Sequence, residues 1–293
     1  MKKIMPKLSV CVVTYNQEKY VRQCLKSIID QKVTFNFEIV ISDDFSTDGT
    51  RNILDEFLRE YPNIIKLHLQ KRNVGPYENY FFAHQQALGE YIAHVDGDDY
   101  CLPRKLQMQV DLLDREPNCN IVWHKTTTED PNGMLRHPFE KFASDLKFYR
   151  KDILQFMAIG VNSSKMYRKS ARDFKAPSFE VIDYFANVEQ IGLGYARLVD
   201  NQSYGVYRTG IGITASGNKT RVILKKCFLY FAEKYPEYSS NINLAALTYF
   251  LGDLKNGRKS WFMFFRVWAR TFKISSLFLF YSHVLFCRRL RDK

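Results

Sequence analysis

The chain has 293 residues, 46% of them hydrophobic and 25% charged, which excludes a disordered polymer and leaves room for one or two packed domains. Its formal net charge of +12 calls for a polyanionic partner: a phosphate-rich substrate, an anionic membrane face or a nucleic acid. The six cysteines (Cys11, Cys24, Cys101, Cys119, Cys227, Cys287) show no CxxC spacing, and the chain is too long for a disulfide miniprotein, so buried thiols in a reducing compartment are expected.

Residues 1–6 run directly into a strand pattern without an apolar stretch and cleavage site, so no signal peptide is expected. No run reaches the roughly 18 to 20 apolar residues of a membrane span; Ile274 to Phe286 comes nearest and is too short. Leu8 to Val13 is almost unbroken apolar sequence, which suits a parallel strand buried on both faces. From Glu18 to Gln31, apolar residues at Tyr20, Val21, Cys24, Leu25, Ile28 and Ile29 have helical spacing. Phe37 to Ile41 predicts a second strand. Asp48-Gly49 marks a turn, and Ile53, Leu54, Phe57 and Leu58 a second helix. A strand over Ile64 to Leu69, a helix over Asn79 to Leu88 and a strand over Tyr91 to Val95 follow. This alternation predicts an α/β fold with a Rossmann-like, mostly parallel sheet and helices on both faces. Beyond it, about Ile121 to Arg172 is mixed, Ile182 to Leu193 reads as helix, Tyr204 to Tyr207 as a short strand, and Thr220 onward as a helical extension.

No GxGxxG follows the first strand, which argues against a dinucleotide-binding oxidoreductase. Ligands of open α/β sheets sit at the carboxyl ends of the strands. Three polar clusters fall at those ends: Thr14-Tyr15-Asn16, Asp43-Asp44 and Asp96-Gly97-Asp98-Asp99. Like charges packed at a strand end repel one another unless a cation holds them, and an all-oxygen set suits Mg²⁺ or Mn²⁺. The competing reading of the last cluster is a solvated loop or helix cap ahead of Pro103. Asp43-Asp44 reads equally as turn chemistry before a helix, and Tyr15 as ordinary packing.

Taken together, these residues resemble the family 2 glycosyltransferases of GT-A fold, the bacterial surface-glycan group. The resemblance rests on Leu8-Ser-Val-Cys-Val-Val-Thr-Tyr-Asn16 with Tyr20, Leu25-Lys-Ser-Ile28 and Gln31, and on Phe37-Glu-Ile-Val-Ile-Ser-Asp-Asp-Phe-Ser-Thr-Asp-Gly-Thr50. It continues through Asn73-Val-Gly75 with Asn79, then Gly89-Glu-Tyr-Ile-Ala-His-Val-Asp-Gly-Asp-Asp99 and Pro103-Arg-Lys-Leu106. Each motif is weak alone; their order and spacing over 1–110 make the signal. The resemblance implies a GT-A catalytic domain over 1–218, with a nucleotide-binding half (1–110) and an acceptor-binding half (111–218), and then a helical basic-aromatic region over 219–293.

It also implies roles. Thr14, Tyr15 and Asn16 would line the nucleobase and ribose pocket, and Asp44 would bind a uracil ring, favouring a UDP-sugar. Asp96 and Asp98 would be the DxD pair: Asp98 the firmer ligand of Mn²⁺ or Mg²⁺, Asp96 shared with ribose, and Asp99 behind them. Asn73 and Asn79 would shape the donor pocket. The family places its general base at an Asp before a helix, followed by a Gly, a strand and a Tyr-Arg pair. Asp183 matches, followed by Gly194 and Val206-Tyr207-Arg208; Glu180 and Glu189 are the alternatives, and helix capping is the competing role for Asp183. Arg208 or Lys219 would neutralise the diphosphate, unless Arg208 is a structural partner.

Two departures stand out. Thr209-Gly210 occupies the place where the family often carries a His, and Gly210, Gly212 and Gly217 suggest a flexible loop over the donor. Arg104 stands where an acidic residue is common. His84, His94, His124 and His137 lack ligand spacing and read as structural.

From Lys255 the chain interleaves Lys and Arg with Trp and Phe and ends on Arg288-Arg-Leu-Arg-Asp-Lys293, the composition of an interfacial helix against anionic lipid. A packed helical pair with a basic face is the alternative; no motif supports nucleic acid. The resulting expectation is an inverting, UDP-sugar-dependent hexosyltransferase acting on a glycan or polyprenyl-diphosphate-linked acceptor. It would build bacterial O-antigen, capsule or lipooligosaccharide in the cytoplasm, peripherally on the inner membrane face. A sugar-phosphate nucleotidyltransferase and a non-catalytic nucleotide-binding protein are the competing functions.

Overall fold

A computed structural model describes residues 5–136, 142–175, 177–211 and 217–291. The chain forms two compact units. The first takes Met1–Lys147, Gly160–Phe174 and Gln190–Gly212; the second takes Phe148–Ile159, Lys175–Glu189 and Ile213–Lys293. The C-terminal helices thus share a unit with two segments that the sequence reading grouped with 111–218.

The first unit is a nine-stranded sheet. Its strands are β1 (Leu8–Thr14), β2 (Phe37–Asp43), β3 (Ile65–Leu69), β4 (Tyr91–Asp96), β5 (Tyr100–Cys101), β6 (Cys119–Glu129), β7 (Leu135–Arg136), β8 (Met166–Arg168) and β9 (Tyr195–Arg208). They run in the order β3-β2-β1-β4-β8-β6-β9-β5, with β7 paired to β6. The first four are mutually parallel, β8 is antiparallel to both of its neighbours, and β6 and β9 are parallel. Its helices are α1 (Val21–Ile29), α2 (Thr50–Glu60), α3 (Pro76–Gln86) and α4 (Lys105–Arg115).

The unbroken apolar character of β1 has a direct cause. Leu8, Val10 and Val12 share a buried cluster with Val21 and Leu25 of α1 and Leu54 of α2. Cys11 alternates away from that set, and its thiol reaches the Ala83 carbonyl of α3 at 3.6 Å. Both faces are therefore covered, and no polar residue needs to alternate with the apolar ones. Burial of each such side chain stabilises the fold by about 2 kcal/mol.

The expected strands and helices of 1–110 are present, with shifted helix starts. The first helix begins at Val21 because the chain before it makes a turn, with the Tyr20 N–H donating to the Gln17 carbonyl at 2.9 Å. The third begins at Pro76, ahead of the expected Asn79: proline suits a first helical position, and Gly75 turns the chain at φ 91°. The short strand expected at Tyr204 to Tyr207 is the end of the longer β9. Register shifts along its pairing with β6 break the two-residue alternation that would have revealed it.

The second unit is helical: α5 (Arg150–Phe156), α6 (Asp183–Gln190, whose last residue belongs to the first unit), α7 (Gly217–Lys234), α8 (Ser239–Lys255), α9 (Trp261–Arg270) and α10 (Ser275–Arg291). Its core is aromatic. Phe185 stacks on Phe231 with centroids 4.9 Å apart, and Tyr184 meets Phe228 edge-on at 5.8 Å. Buried Asp253 accepts from Arg221 of α7 at 2.9 Å and from the Ser260 hydroxyl at 2.6 Å, locking α7 and α8 to the start of α9. Among the described residues no helix is long and apolar enough to cross a membrane.

Candidate active site

The sheet register brings the three polar clusters of the first unit together. Thr14 lies opposite Asp43 across β1 and β2, and Val13 lies opposite Asp96 across β1 and β4. Tyr15 is 44% exposed just past the strand end. Asn16 takes a left-handed turn at φ 52° and accepts from the Thr47 N–H at 2.8 Å, while its own N–H donates to the Ser46 hydroxyl at 2.9 Å. The loops after β1 and β2 are zipped to each other at this point.

Asp43 and Asp44 have separate surroundings. Asp43 is buried and accepts from the Ser46 N–H at 3.0 Å and from Arg51 Nε at 2.7 Å. Asp44 accepts from the Val74 N–H at 2.7 Å and the Gly75 N–H at 3.0 Å. Burial pushes its carboxyl above the ordinary range, against the pull of those two N–H groups. Each carboxylate oxygen retains acceptor capacity for a further donor, such as a ring N–H. Exposed Asn73 donates to the Asp44 carbonyl at 3.2 Å. Asn79 is buried and clamps Ser42, accepting from its hydroxyl at 2.6 Å and donating to its carbonyl at 3.0 Å. Asn79 thereby fixes α3 on β2.

The acidic loop rests directly on the end of β1. The Gly97 N–H donates to the Val13 carbonyl at 2.9 Å, and a β-carbon on Gly97 would press on the Gln17 side chain and lie 3.1 Å from Thr14 Cβ, so a side chain there requires these neighbours to shift. The charges are crowded. Burial, then the charge of Asp96, pushes the Asp98 carboxyl up to about 6. Burial with Asp96 and Asp98 drives buried Asp99 well above the usual range. Asp96 goes the other way: burial would raise it, but His94 and the Ser163 hydroxyl outweigh that and lower it.

Arg208 clamps this loop from β9. Its guanidinium donates to the Asp98 carbonyl at 2.6 Å and to Gln23 at 2.5 Å, pairs with Glu129 at 3.3 Å, and lies between the Tyr20 and Tyr100 rings at 5.0 and 4.9 Å. With its donors facing protein groups, Arg208 holds the acidic loop in place. Lys219 pairs with Glu180 at 3.0 Å within the second unit. Arg104 is exposed and peripheral.

The histidines divide. His124 bonds the Lys125 carbonyl at 2.8 Å and is structural. His94 instead contacts Asp96 at 3.1 Å and His84 at 3.0 Å. The signal for this was in the sequence: residues two apart on a strand share a face, so His94 and Asp96 had to lie together. His137 and Gly212 lie outside the described residues.

Asp183 opens α6 in the second unit, exposed, and accepts the Tyr184 N–H at 2.8 Å. Of the alternatives, Glu180 pairs with Lys219, and Glu189 is held by Lys234 at 2.7 Å.

Among the described residues, no three His, Cys, Asp or Glu side chains gather as a metal-binding group. A self-sufficient protein cage for a cation is therefore not formed by these residues. What Asp96 and Asp98 offer is a pair of carboxylates on one short loop, and the buried Asp99 Oδ2 beside them lacks a hydrogen-bond partner. That donor set fits a Mg²⁺ or Mn²⁺ site of the kind completed by phosphate oxygens and water.

Known proteins resemble this chain. An uncharacterized protein of Mycobacterium tuberculosis is 31% identical over 211 residues, covering 69% of this chain and 58% of its own length. The poly(ribitol-phosphate) beta-N-acetylglucosaminyltransferase TarS of Staphylococcus aureus is 30% identical over 165 residues, covering 56% of this chain and 28% of its own. The chain thus spans less than two thirds of the length of these relatives. A crystal structure of S. aureus TarS residues 1–349 in complex with UDP-GlcNAc superposes with a TM-score of 0.64 at 22% identity, over 82% of this chain and 71% of that one. The fold is therefore the GT-A fold inferred from the strand-end motifs. The pattern described as Glycosyl transferase family 2 matches residues 9–173, which take in every strand-end cluster of the site. The chain belongs to glycosyl transferase family 2.

Proposed function

We propose that this protein transfers a sugar from a UDP-sugar to a hydroxyl of a glycan or lipid-linked acceptor in bacterial surface-polysaccharide synthesis, with inversion by single displacement. The observation that carries the reading is the convergence of Asp44 and the Asp96–Asp99 loop at the ends of β2 and β4, the two parallel strands that flank β1, in a fold shared with a protein crystallised with UDP-GlcNAc.

In this reading Asp44 accepts the ring N–H of uracil and Tyr15 covers the base. Asp98, with Asp96, holds Mn²⁺ or Mg²⁺. The cation supplies charge stabilisation to the departing nucleoside diphosphate, worth several kcal/mol in such sites. Asp183, nominated by the sequence pattern around α6, takes the acceptor's proton.

The reading includes a membrane surface for the second unit. Around α9 and α10, Phe262, Phe265, Phe272, Ile274, Phe278 and Tyr281 are exposed, and Arg258, Lys259, Arg266, Arg270 and Lys273 lie among them in sequence. Exposed aromatics among cations suit the headgroup boundary of an anionic bilayer, where a lipid-linked acceptor resides. Co-sedimentation with vesicles containing phosphatidylglycerol, lost on Phe278→Asp with Ile274→Asp, would support this; equal binding to neutral vesicles would count against it.

The central test is a donor screen reading UDP release in Mn²⁺ or Mg²⁺, with and without EDTA. Release from one UDP-sugar, abolished by chelator and by Asp98→Ala, is the expected result. Equal turnover in EDTA removes the metal step. Pyrophosphate release from a nucleoside triphosphate and a sugar phosphate would favour a nucleotidyltransferase.

A further inference from the structure

Asp96 stands at the end of a buried hydrogen-bonded chain. His94 Nε2 lies 3.1 Å from Asp96 Oδ1, His94 Nδ1 lies 3.0 Å from His84 Nε2, and His84 Nδ1 lies 2.7 Å from the Tyr167 hydroxyl. The three residues come from β4, α3 and β8, and all are 2% exposed or less. The other oxygen of Asp96 accepts from the Ser163 hydroxyl at 3.1 Å.

One end of the chain has a fixed direction. A carboxylate only accepts, so His94 donates through Nε2. A neutral His84 uses one ring nitrogen as donor and the other as acceptor, so it links His94 Nδ1 to the Tyr167 hydroxyl. Burial, with His94, Lys165 and Arg172 nearby, holds His84 well below its ordinary range, and burial holds Tyr167 well above its own. Lys165, buried beside the chain, donates to the Tyr80 hydroxyl at 3.1 Å, and Tyr80 stacks on His84 at 3.9 Å. Each imidazole is thereby held in one ring orientation.

We infer that His94, backed by His84 and Tyr167, is a positioning residue that holds the Asp96 carboxylate in one orientation toward the metal and nucleotide. The inference rests on the donor-site reading proposed above. A carboxylate steadied on both oxygens presents its remaining lone pairs in one direction, and groups that orient metal ligands in this way typically change metal affinity about 10- to 100-fold when removed. A chain that served only to fill the core would change stability and leave affinity alone.

The test compares the native chain with His94→Leu, His94→Gln and Tyr167→Phe. Mn²⁺ binding at saturating UDP is followed by the electron paramagnetic resonance of free Mn²⁺, and UDP binding in EDTA by calorimetry. His94→Leu should weaken Mn²⁺ binding about 10- to 100-fold while UDP binding in EDTA is retained. His94→Gln, whose amide N–H reaches the Nε2 position, should recover most of the loss. Tyr167→Phe removes only the terminal hydroxyl, so it stands in if His94→Leu does not fold, and it should weaken Mn²⁺ binding in the same direction. Native Mn²⁺ affinity in folded His94→Leu, or in Tyr167→Phe if that variant stands in, overturns the inference. Absence of Mn²⁺ binding by the native protein with UDP overturns the donor-site reading itself.

Discussion

The backbone N–H of Arg208, the last residue of β9, donates to the carboxylate of Asp99 at 2.9 Å, joining the far end of the sheet to the acidic loop after β4. The Arg208 side chain then reaches past Asp99 to the Asp98 carbonyl. One residue therefore fixes the loop through both its backbone and its fork, and the loop's crowded carboxylates keep their positions although they repel one another.

This clamp needs the guanidinium shape. Lysine offers a single point of donation and cannot serve Gln23, the Asp98 carbonyl and Glu129 together. Arg208→Lys should lower stability to urea by about 2 kcal/mol and reduce UDP release, because buried acceptors lose their donors. Wild-type unfolding curves for the variant would remove the clamp.

Asp44 holds the loop before α3, and in the proposed function it also meets the nucleobase. Asp44→Ala leaves the Val74 and Gly75 N–H groups without their acceptor, at a cost of about 1–3 kcal/mol. UDP affinity by calorimetry should fall about tenfold or more, the equivalent of about 1.4 kcal/mol. Unchanged affinity would show that the nucleobase is read elsewhere.

Asp183 has two candidate duties, base and helix cap, and one substitution separates them. Asp183→Asn retains a side-chain oxygen that can accept the Tyr184 N–H, so the helix start should survive. Turnover should fall at least about 100-fold, the lower range for losing general-base catalysis, with UDP binding intact. Normal turnover would leave capping as its only role.

The helical unit carries its own pH signature. Burial alone would raise the Asp253 carboxyl, but hydrogen bonds from Arg221 and Ser260 outweigh it and hold the group below its ordinary range. A lowered folded value means that the stabilisation is fully present above the unfolded value of about 3.9 and is lost as pH falls through the folded one. Asp253→Asn should cost about 3 kcal/mol near neutrality, and the gap between variant and native should close as pH falls below about 4. A gap constant with pH would show that the ion pair contributes nothing.

Much of the donor side was legible because parallel strands buried on both faces leave an apolar signature, and polar residues interrupt it only at the strand ends. Thr14, Asp44 and Asp96 announced themselves in this way. Arg208 did not: its Tyr-Arg context marked it for attention, but a guanidinium on a strand end looks the same whether it faces a diphosphate or a neighbouring carbonyl. His84 and Tyr167 were illegible for a related reason. They come from α3 and β8, and no local spacing relates them to His94.

Sequence alone determined the alternating strand and helix frame of 1–110 and the ends at which its polar groups would meet, because hydrophobic periodicity and strand-end chemistry are local properties of the chain. Tertiary structure decided which of those groups remain open to a ligand and which are already engaged by partners. It also decided that segments 148–159 and 175–189 pack with the C-terminal helices. Those outcomes depend on pairings between distant residues, which follow from how buried donors, acceptors and apolar faces are satisfied together in space.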